Sequence, residues 1–457
     1  MATKLLLINP PGRKTYLRDY YCSKVSKTGY CPQPIDLVVL SGLLHAHAEI
    51  RVIDAIVGRV SPGRCLDRIR AFSPDAAVSL IGAASIQEDL AFLEELKRHV
   101  PRLYAAGDAV LGDTKAWLLS HPFVDGAITD FTQSDIASFL CGESALSRGI
   151  ATPDSPAGPA GGESPFEIPL PRHELFQDRR YRFPFVRTSR FATVLTDFGC
   201  PCRCRFCIMG TLGHRVRTVR NVIDELRLLK SLGTREIFFI DQTFGFDEAR
   251  MLALCGQMSR ESFGFGWACF TRADLIPGKR LEAMRRAGCH TAIMGIESGN
   301  AGILSMYGKG MDAARIREGF RLCRKAGIRT VATIILGLPE ETEETARETF
   351  RLVMEIDPDF LSVNVAVPRP GTALRESAVA EGLIDGREAP MDQSGSFAAM
   401  PSRRISRDGI AALRTLALRG FYLRPAYLLK RMGDVRTLHE LLELARQGFA
   451  VIRSAGR

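Results

Sequence analysis

No uninterrupted apolar stretch in the 457 residues reaches the roughly 18 to 20 residues that a membrane-spanning helix needs, so no transmembrane segment is expected. Nor is a secretory signal expected, because the apolar run Leu5-Leu6-Leu7-Ile8 stops at Asn9-Pro10-Pro11. Twelve cysteines without such a signal point to a reducing, bacterial-type cytoplasm. There Cys255, Cys269, Cys289 and Cys323 read as small buried apolar residues. Also absent is a second Cys-x2-Cys or His pair at suitable distance from the one dense cysteine run, as a zinc knuckle would require.

The length is enough for two or three domains with their own cores. The net charge of +10 is unevenly placed: Arg403 to Arg457 holds twelve Lys plus Arg against four Asp plus Glu. Such a surplus does not by itself choose between nucleic acid, an anionic membrane surface and an acidic substrate. A solvated helix face is its plainest reading, and nucleic acid is not expected.

Along the chain, Lys4 to Ile8, Glu49 to Asp54, Ala76 to Ile81 and Arg102 to Ala106 read as strands with helical patterns between them. That alternation over residues 1 to 140 predicts an open, Rossmann-like parallel sheet whose ligand loops lie at the strand carboxyl ends. Those loops carry Asn9, Asp54, Ser85 and Gly107. The run Ala151 to Gly162, rich in Pro, Gly and Ala, cannot build a core and marks a boundary at which domains should separate. It belongs to a linker and aromatic, basic strap over 141 to 190. From 191 to 374, strands at 192–197, 236–240, 266–271, 291–296, 329–336 and 360–367 alternate with helices near 219–232, 248–261, 278–287, 312–326 and 341–355. Six units make a partial (β/α)6 barrel, two short of a closed one. The overall class is therefore α/β, with a mostly helical carboxyl-terminal region from 375 to 457. Its segments near 405–420, 425–432 and 435–453 have leucines on one face and arginines opposite. Packing against the barrel opening is the expected role of this tail, and a membrane-surface role is the alternative.

At the end of the first barrel strand stands Gly-Cys200-Pro-Cys-Arg-Cys204-Arg-Phe-Cys207, a Cys-x3-Cys-x2-Cys run. Three thiolates on one loop can hold an iron-sulfur cluster and leave one iron open. A zinc site completed by Cys202 and His214 is the bland reading. The spacing, with Phe206 before the third cysteine, resembles the radical S-adenosylmethionine (radical SAM) superfamily. The resemblance implies a [4Fe-4S] cluster on Cys200, Cys204 and Cys207 that reductively cleaves SAM to a 5'-deoxyadenosyl radical, with Cys202 a bystander.

SAM presents an ammonium, a carboxylate, a ribose and an adenine, and the next strand ends offer matching groups. Asp241 and Gln242 follow the second strand, Arg272 the third, Glu297 and Ser298 the fourth, and Gly337 the fifth. Asp241 and Glu297 can accept from the amine or ribose, Arg272 can pair with a carboxylate, and Gly337 leaves room beside a flat ring. Gly295-Ile-Glu297-Ser298 looks like the family's fourth-strand segment, and Ile335, Gly337 and Glu340 look like its adenine motif, with Thr333 replacing the first glycine.

The domain order, with Asn-Pro-Pro after the first strand and Val-Ile-Asp54-Ala after the second, resembles the cobalamin-binding class of radical SAM enzymes. That implies cobalamin between the two domains, touched by Asn9, Asp54, Ser85 and Gly107. The Asp-x-His-x-x-Gly sequence that supplies a cobalt ligand in other cobalamin domains is absent, and His45 and His47 lie on an expected helix. A scaffold that has lost cobalamin is the alternative. The resemblance implies a cobalamin-dependent methyltransferase acting on an unactivated carbon. Cyclisation, ring contraction or hydroxylation with the same cofactors, a methylthiotransferase, and a non-catalytic iron-sulfur or zinc regulator are the rivals. The expected partners are a small-molecule substrate, anionic or lipid-like, and an electron donor such as flavodoxin or ferredoxin.

Overall fold

The computed structural model describes residues 3–19, 22–158, 164–387 and 389–434, together with 441, 442, 445 and 448. The amino-terminal sheet has the order Ala48–Asp54, Thr3–Asn9, Ala76–Leu80, Arg102–Ala106, Gly126–Ile128, Ile150–Ala151. Neighbouring strands are parallel except the last pair, which is antiparallel. Leu5, Leu6, Leu7 and Ile8 are all buried, as an apolar run covered by helices on both faces requires. The last two strands are too short to show periodicity in the sequence. They carry the sheet past residue 140, and Ala151 belongs to it rather than to a linker.

The second sheet runs Phe191–Val194, Glu236–Phe239, Gly266–Thr271, Cys289–Glu297, Arg329–Leu336, Phe360–Val365, in chain order and parallel throughout. Its crossover helices begin at side-chain caps. Thr218, Asp247, Asp312 and Thr342 accept from the backbone N–H groups of Asn221, Arg250, Arg315 and Thr345, each cap contributing on the order of 1 kcal/mol. The outer faces of the strands and these helices share one apolar core that includes Ile237, Trp267, Ala292 and Ile334.

The two sheets do not stand apart. A contiguous core joins Leu5, Leu7 and Val78 of the first sheet to Phe238, Ile293 and Val331 of the second. Phe166, Phe176, Tyr181 and Phe183 of the intervening strap lie within it. Apolar surface on both sides of the linker is thus buried once, in common, and the expected separable domains form one packed body. Buried polar contacts reinforce the junction: Asp108 pairs with Arg369 and accepts from the Ser23 N–H at 2.8 Å, and Lys27 donates to Ser362, Val363 and Asn364 at 2.7–2.8 Å.

The helix Arg407–Tyr422 closes the open edge of the barrel. It buries Ile410, Leu413, Ala417, Leu418 and Phe421, and the Tyr422 hydroxyl donates to the Leu361 carbonyl at 2.7 Å. A second helix, Pro425–Asp434, follows. The expected helix near 435–453 lies outside the described residues apart from Leu441, Leu442, Ala445 and Gly448.

Candidate functional site between the barrel mouth and the amino-terminal strap

After the first barrel strand the chain forms a short antiparallel ribbon, Asp197–Gly199 with His214–Val216, and the cysteine loop is the excursion between its arms. Gly199 is needed at the start of that excursion. Its φ is +75°, and a Cβ there would strike the Gly213 carbonyl oxygen. Asp241 holds the same turn from below: its carboxylate accepts from the N–H groups of Thr196 (2.6 Å) and Asp197 (2.9 Å) and from the Thr196 hydroxyl (2.7 Å). Burial, followed by the nearby Asp197 charge, pushes the Asp241 carboxyl up to about 7. Asp241 is wholly buried and does not reach the cavity, so it serves the loop rather than a ligand.

Cys200, Cys202, Cys204 and Cys207 all line one cavity of about 270 Å³ at the barrel mouth. Burial raises the Cys204 thiol, and it pushes Cys207 up to about 12. Cys202 goes the other way: the hydrogen bond from Cys200 comes first, and Arg272 and Lys309 add their charges. The Arg272 Nη1 donates to the Cys202 sulfur at 3.5 Å. No closed cage of three or more His, Cys, Asp or Glu side chains is preformed among the described residues. The thiols instead share one cavity wall, and three soft donors beside two cations suit an iron-sulfur cluster with an open iron. His214 sits 3.4 Å from Asp197 and is absent from this wall, so the four-ligand zinc set is not assembled.

The opposite wall comes from successive strand ends: Gln242 and Thr243, then Arg272, then Gly295 and Glu297, then Thr333. The Thr243 hydroxyl lies 3.5 Å from the Cys200 sulfur. Arg272 is fixed in a forked pair with Asp274, both arms at 2.9 Å. Glu297 occupies a left-handed φ of +58° where the pairing register shifts after Gly295, a local distortion that turns its carboxylate toward Lys309 at 2.8 Å. Burial opposes the Lys309 charge, but Glu297 and Cys204 beside it hold the ammonium above its ordinary value. Lys309 was invisible in the sequence. It follows a helix end rather than a strand, and only folding returns it to the cluster loop.

Two expected SAM contacts lie elsewhere. Ser298 is buried beside Thr349, its hydroxyl accepting from the Asn300 N–H at 3.1 Å. Gly337, at φ +85°, has the Ile410 side chain where its own Cβ would stand, so the close approach it permits is taken by the tail helix. Its N–H donates to Glu341 at 2.5 Å, and Glu341 is fully buried. Glu340, the carboxylate that matches the adenine motif, accepts from the Tyr307 hydroxyl at 2.5 Å and pairs with Arg403.

The strand ends of the amino-terminal sheet are brought together by Arg18. This fully buried guanidinium pairs with Asp89 at 2.7 Å and donates to Asn9 (3.0 Å), Ser85 (3.0 Å) and the Pro10 carbonyl (2.7 Å). Asp54 accepts from Asn9, from the N–H groups of Ile56 and Val57 as a helix cap, and from the Tyr181 hydroxyl. Gly107, at φ +125°, has no room for a side chain against the Ile81 carbonyl. All four positions are thus occupied by partners within the chain, and none lines the inter-domain spaces.

Spaces do open between the two halves. The cavity over the cysteines is roofed by the strap residues Leu17, Asp19, Cys22, Lys24, Tyr30 and Pro32 and floored by Phe183, Phe185, Phe238 and Phe270. A larger cleft, about 770 Å³, lies among Gly112 to Lys115, Thr129, Asp130, Arg148, Thr152 and the cysteine-loop residues Phe198, Thr211 and Leu212. Its size falls within the range of about 300–1,000 Å³ usual for ligand sites.

Residues 195–353 match the radical SAM superfamily model, so this stretch is a radical SAM domain. It is similar to an uncharacterised methyltransferase of Pyrococcus horikoshii, 26% identical over 93% of this chain and 94% of that protein. Its fold follows the radical SAM methyltransferase TsrM from Kitasatospora setae, solved with cobalamin and a [4Fe-4S] cluster bound, with a TM-score of 0.70 over 100% of both chains at 17% identity. OxsB, a cobalamin-dependent SAM radical enzyme, has the same TM-score of 0.70 over 99% of this chain and 72% of its own, at 15% identity.

Proposed function

We propose that this chain uses a [4Fe-4S] cluster, SAM and cobalamin to methylate an unactivated carbon of a small molecule. The observation that carries this reading is the cavity itself, which takes one wall from the cysteine loop, one from the barrel strand ends and its roof from the amino-terminal strap. Bound there, the cluster and SAM would supply hydrogen abstraction and cobalamin a transferable methyl group.

The chain's own part is holding and shielding. Cys200, Cys204 and Cys207 are the cluster's protein ligands. Arg272 and Lys309 offset the negative charge gathered beside them, and Gln242, Thr243 and Glu297 offer hydrogen bonds to the polar parts of SAM. Thr129, Asp130 and Arg148 in the larger cleft would hold the polar periphery of cobalamin. The aromatic floor and the strap above it keep water from the reacting centre. Lys24, in the roof, suits an anionic group on the substrate, and the phenylalanines suit an apolar body. The reading implies a reducing cytoplasm and a flavodoxin- or ferredoxin-like electron donor.

Anaerobic reconstitution with iron, sulfide and cobalamin, followed by an absorption spectrum and reduction with SAM, tests it. The expected results are cobalamin bands, 5'-deoxyadenosine, and label from methyl-labelled SAM in the product. 5'-Deoxyadenosine without cobalamin bands or label would leave a radical SAM enzyme of another outcome, such as a cyclase, and end the methyltransferase reading.

A further inference from the structure

The carboxyl-terminal helices present their apolar side to solvent. In Arg407–Tyr422 the inward face is apolar, as expected, with Ile410, Leu413, Ala417 and Phe421 buried. The outward face is also apolar: Ala412, Leu416, Gly420 and Leu423 recur at helical spacing and are exposed, Leu416 by 63% and Leu423 by 48%. The next helix is inverted outright. It buries Arg431, which pairs with Asp359 at 2.6 Å and lies over the Phe360 ring at 5.0 Å, while Leu428 and Leu429 are 47% and 67% exposed. A helix serving only the protein's own core would show the opposite polarity. Leu441 and Leu442 continue the exposed leucines, at 49% each.

From Ala411 to Gly433 the sequence contains no Asp or Glu. Arg419 is exposed there, whereas Lys430 pairs with Asp357 at 3.4 Å and Asp359 at 3.7 Å, and the exposed Asp408 lies one turn before Ala412. Scattered exposed leucines need no explanation, but leucines at helical spacing in a region with twelve Lys plus Arg against four Asp plus Glu match the make-up of a helix lying in a lipid interface. A second copy of this chain is the poorer occupant. Two-fold pairing would bring the basic surplus of one copy against that of the other.

We infer that the helices Arg407–Tyr422 and Pro425–Asp434 dock the enzyme on an anionic lipid bilayer, with Leu416, Leu423, Leu428 and Leu429 entering the interface and Arg419 meeting lipid phosphates. This contact is independent of the cofactors and survives failure of the methyltransferase reading. It orients the protein at a surface where an apolar substrate would be concentrated.

The test is co-sedimentation of the full chain with vesicles of phosphatidylcholine alone or mixed with phosphatidylglycerol. Binding is expected to the mixed vesicles only, weakened by salt. Arg419→Ala should bind about fivefold more weakly, from roughly 1 kcal/mol per cation at an anionic surface. Leu416→Glu with Leu429→Glu should bind at least about tenfold more weakly, since both anchors are removed and repelled. Neither change touches the cavity, so unaltered 5'-deoxyadenosine formation reports an intact fold. No pelleting with mixed vesicles, equal pelleting with neutral ones, or variants that bind like the parent would overturn the inference. So would a dimer in solution that Leu429→Glu dissociates, which would assign the face to self-association.

Discussion

At the carboxyl ends of the barrel strands, Gln242, Thr243, Arg272 and Glu297 face an open cavity, whereas at the equivalent ends of the amino-terminal sheet Asn9 and Ser85 are bonded to Arg18, and Asp54 to Asn9 and Tyr181. Both sheets are parallel, and both place polar residues where such sheets bind ligands. The difference is an arginine. Arg18 and Asp89 are both fully buried, and the donors around this pair are consumed in keeping two charges satisfied away from water. In the barrel the corresponding cation, Arg272, is only partly enclosed by Asp274 and keeps an arm on the cavity wall. Polar residues at a strand end therefore mark a ligand site only where they also line open space.

The sharpest way to break this contrast is at the cysteines. Single replacement of Cys200, Cys204 or Cys207 by Ala should abolish the cluster's absorption and SAM cleavage after reconstitution, while Cys202→Ala keeps both. Loss of iron in Cys202→Ala equal to that in the others would refute the ligand assignment.

Next in size is the pair of arginines. Arg18→Ala strands the buried Asp89 carboxylate and should cost about 3–5 kcal/mol in denaturant unfolding. Arg272→Ala, whose partner Asp274 keeps some contact with solvent, should cost less, about 1–3 kcal/mol, yet weaken SAM binding in a calorimeter. If the two changes cost the same stability, the amino-terminal strand ends are not the structural counterpart described above.

A third comparison is between pH values. Burial holds the Glu341 carboxyl up to about 7, against 4.5 when unfolded, so between these values the folded state carries the extra proton. Its contribution is fully present below about pH 4.5 and is lost as pH rises through about 7. Glu341→Gln keeps an acceptor for the Gly337 N–H without that dependence. The variant should therefore gain on the parent with rising pH, by up to about 3 kcal/mol well above pH 7, in urea unfolding compared at acid and alkaline pH. A constant difference across pH would remove Glu341 as the titrating group.

The last comparison is at Gly337. Gly337→Ala meets an unfavourable φ of +85° and the Ile410 side chain, costing about 1–3 kcal/mol. Trimming Ile410 to Ala in the same chain should relieve the steric part. If Gly337→Ala instead leaves stability untouched and lowers SAM affinity, the glycine serves the cofactor rather than the tail helix.

Much of the barrel was legible because its signals are local. Gly266–Thr271 and Arg329–Leu336 stand where the apolar runs put them, and the helix Glu248–Glu261 begins at its Asp247 cap. The strands Gly126–Ile128 and Ile150–Ala151 were missed because three and two residues carry no period; pairing with the sheet makes them strands. At the site, the cysteine spacing sat within one loop and could be read directly. Lys309 could not, because its partner Glu297 is brought to it by a distorted strand end.

By itself the sequence determined the strand-helix alternation, the cysteine spacing and the basic, leucine-rich tail, each a property of neighbours along the chain. Tertiary structure decided which polar strand ends are free and which are spent. It decided that the aromatic strap fuses two expected domains through one core, and that the tail's leucines face outward while Arg431 is buried. Periodicity follows from backbone geometry over a few residues, but whether a carboxylate meets an arginine, a thiol or open space depends on partners as distant in sequence as Arg18 and Asp89, or Cys202 and Arg272.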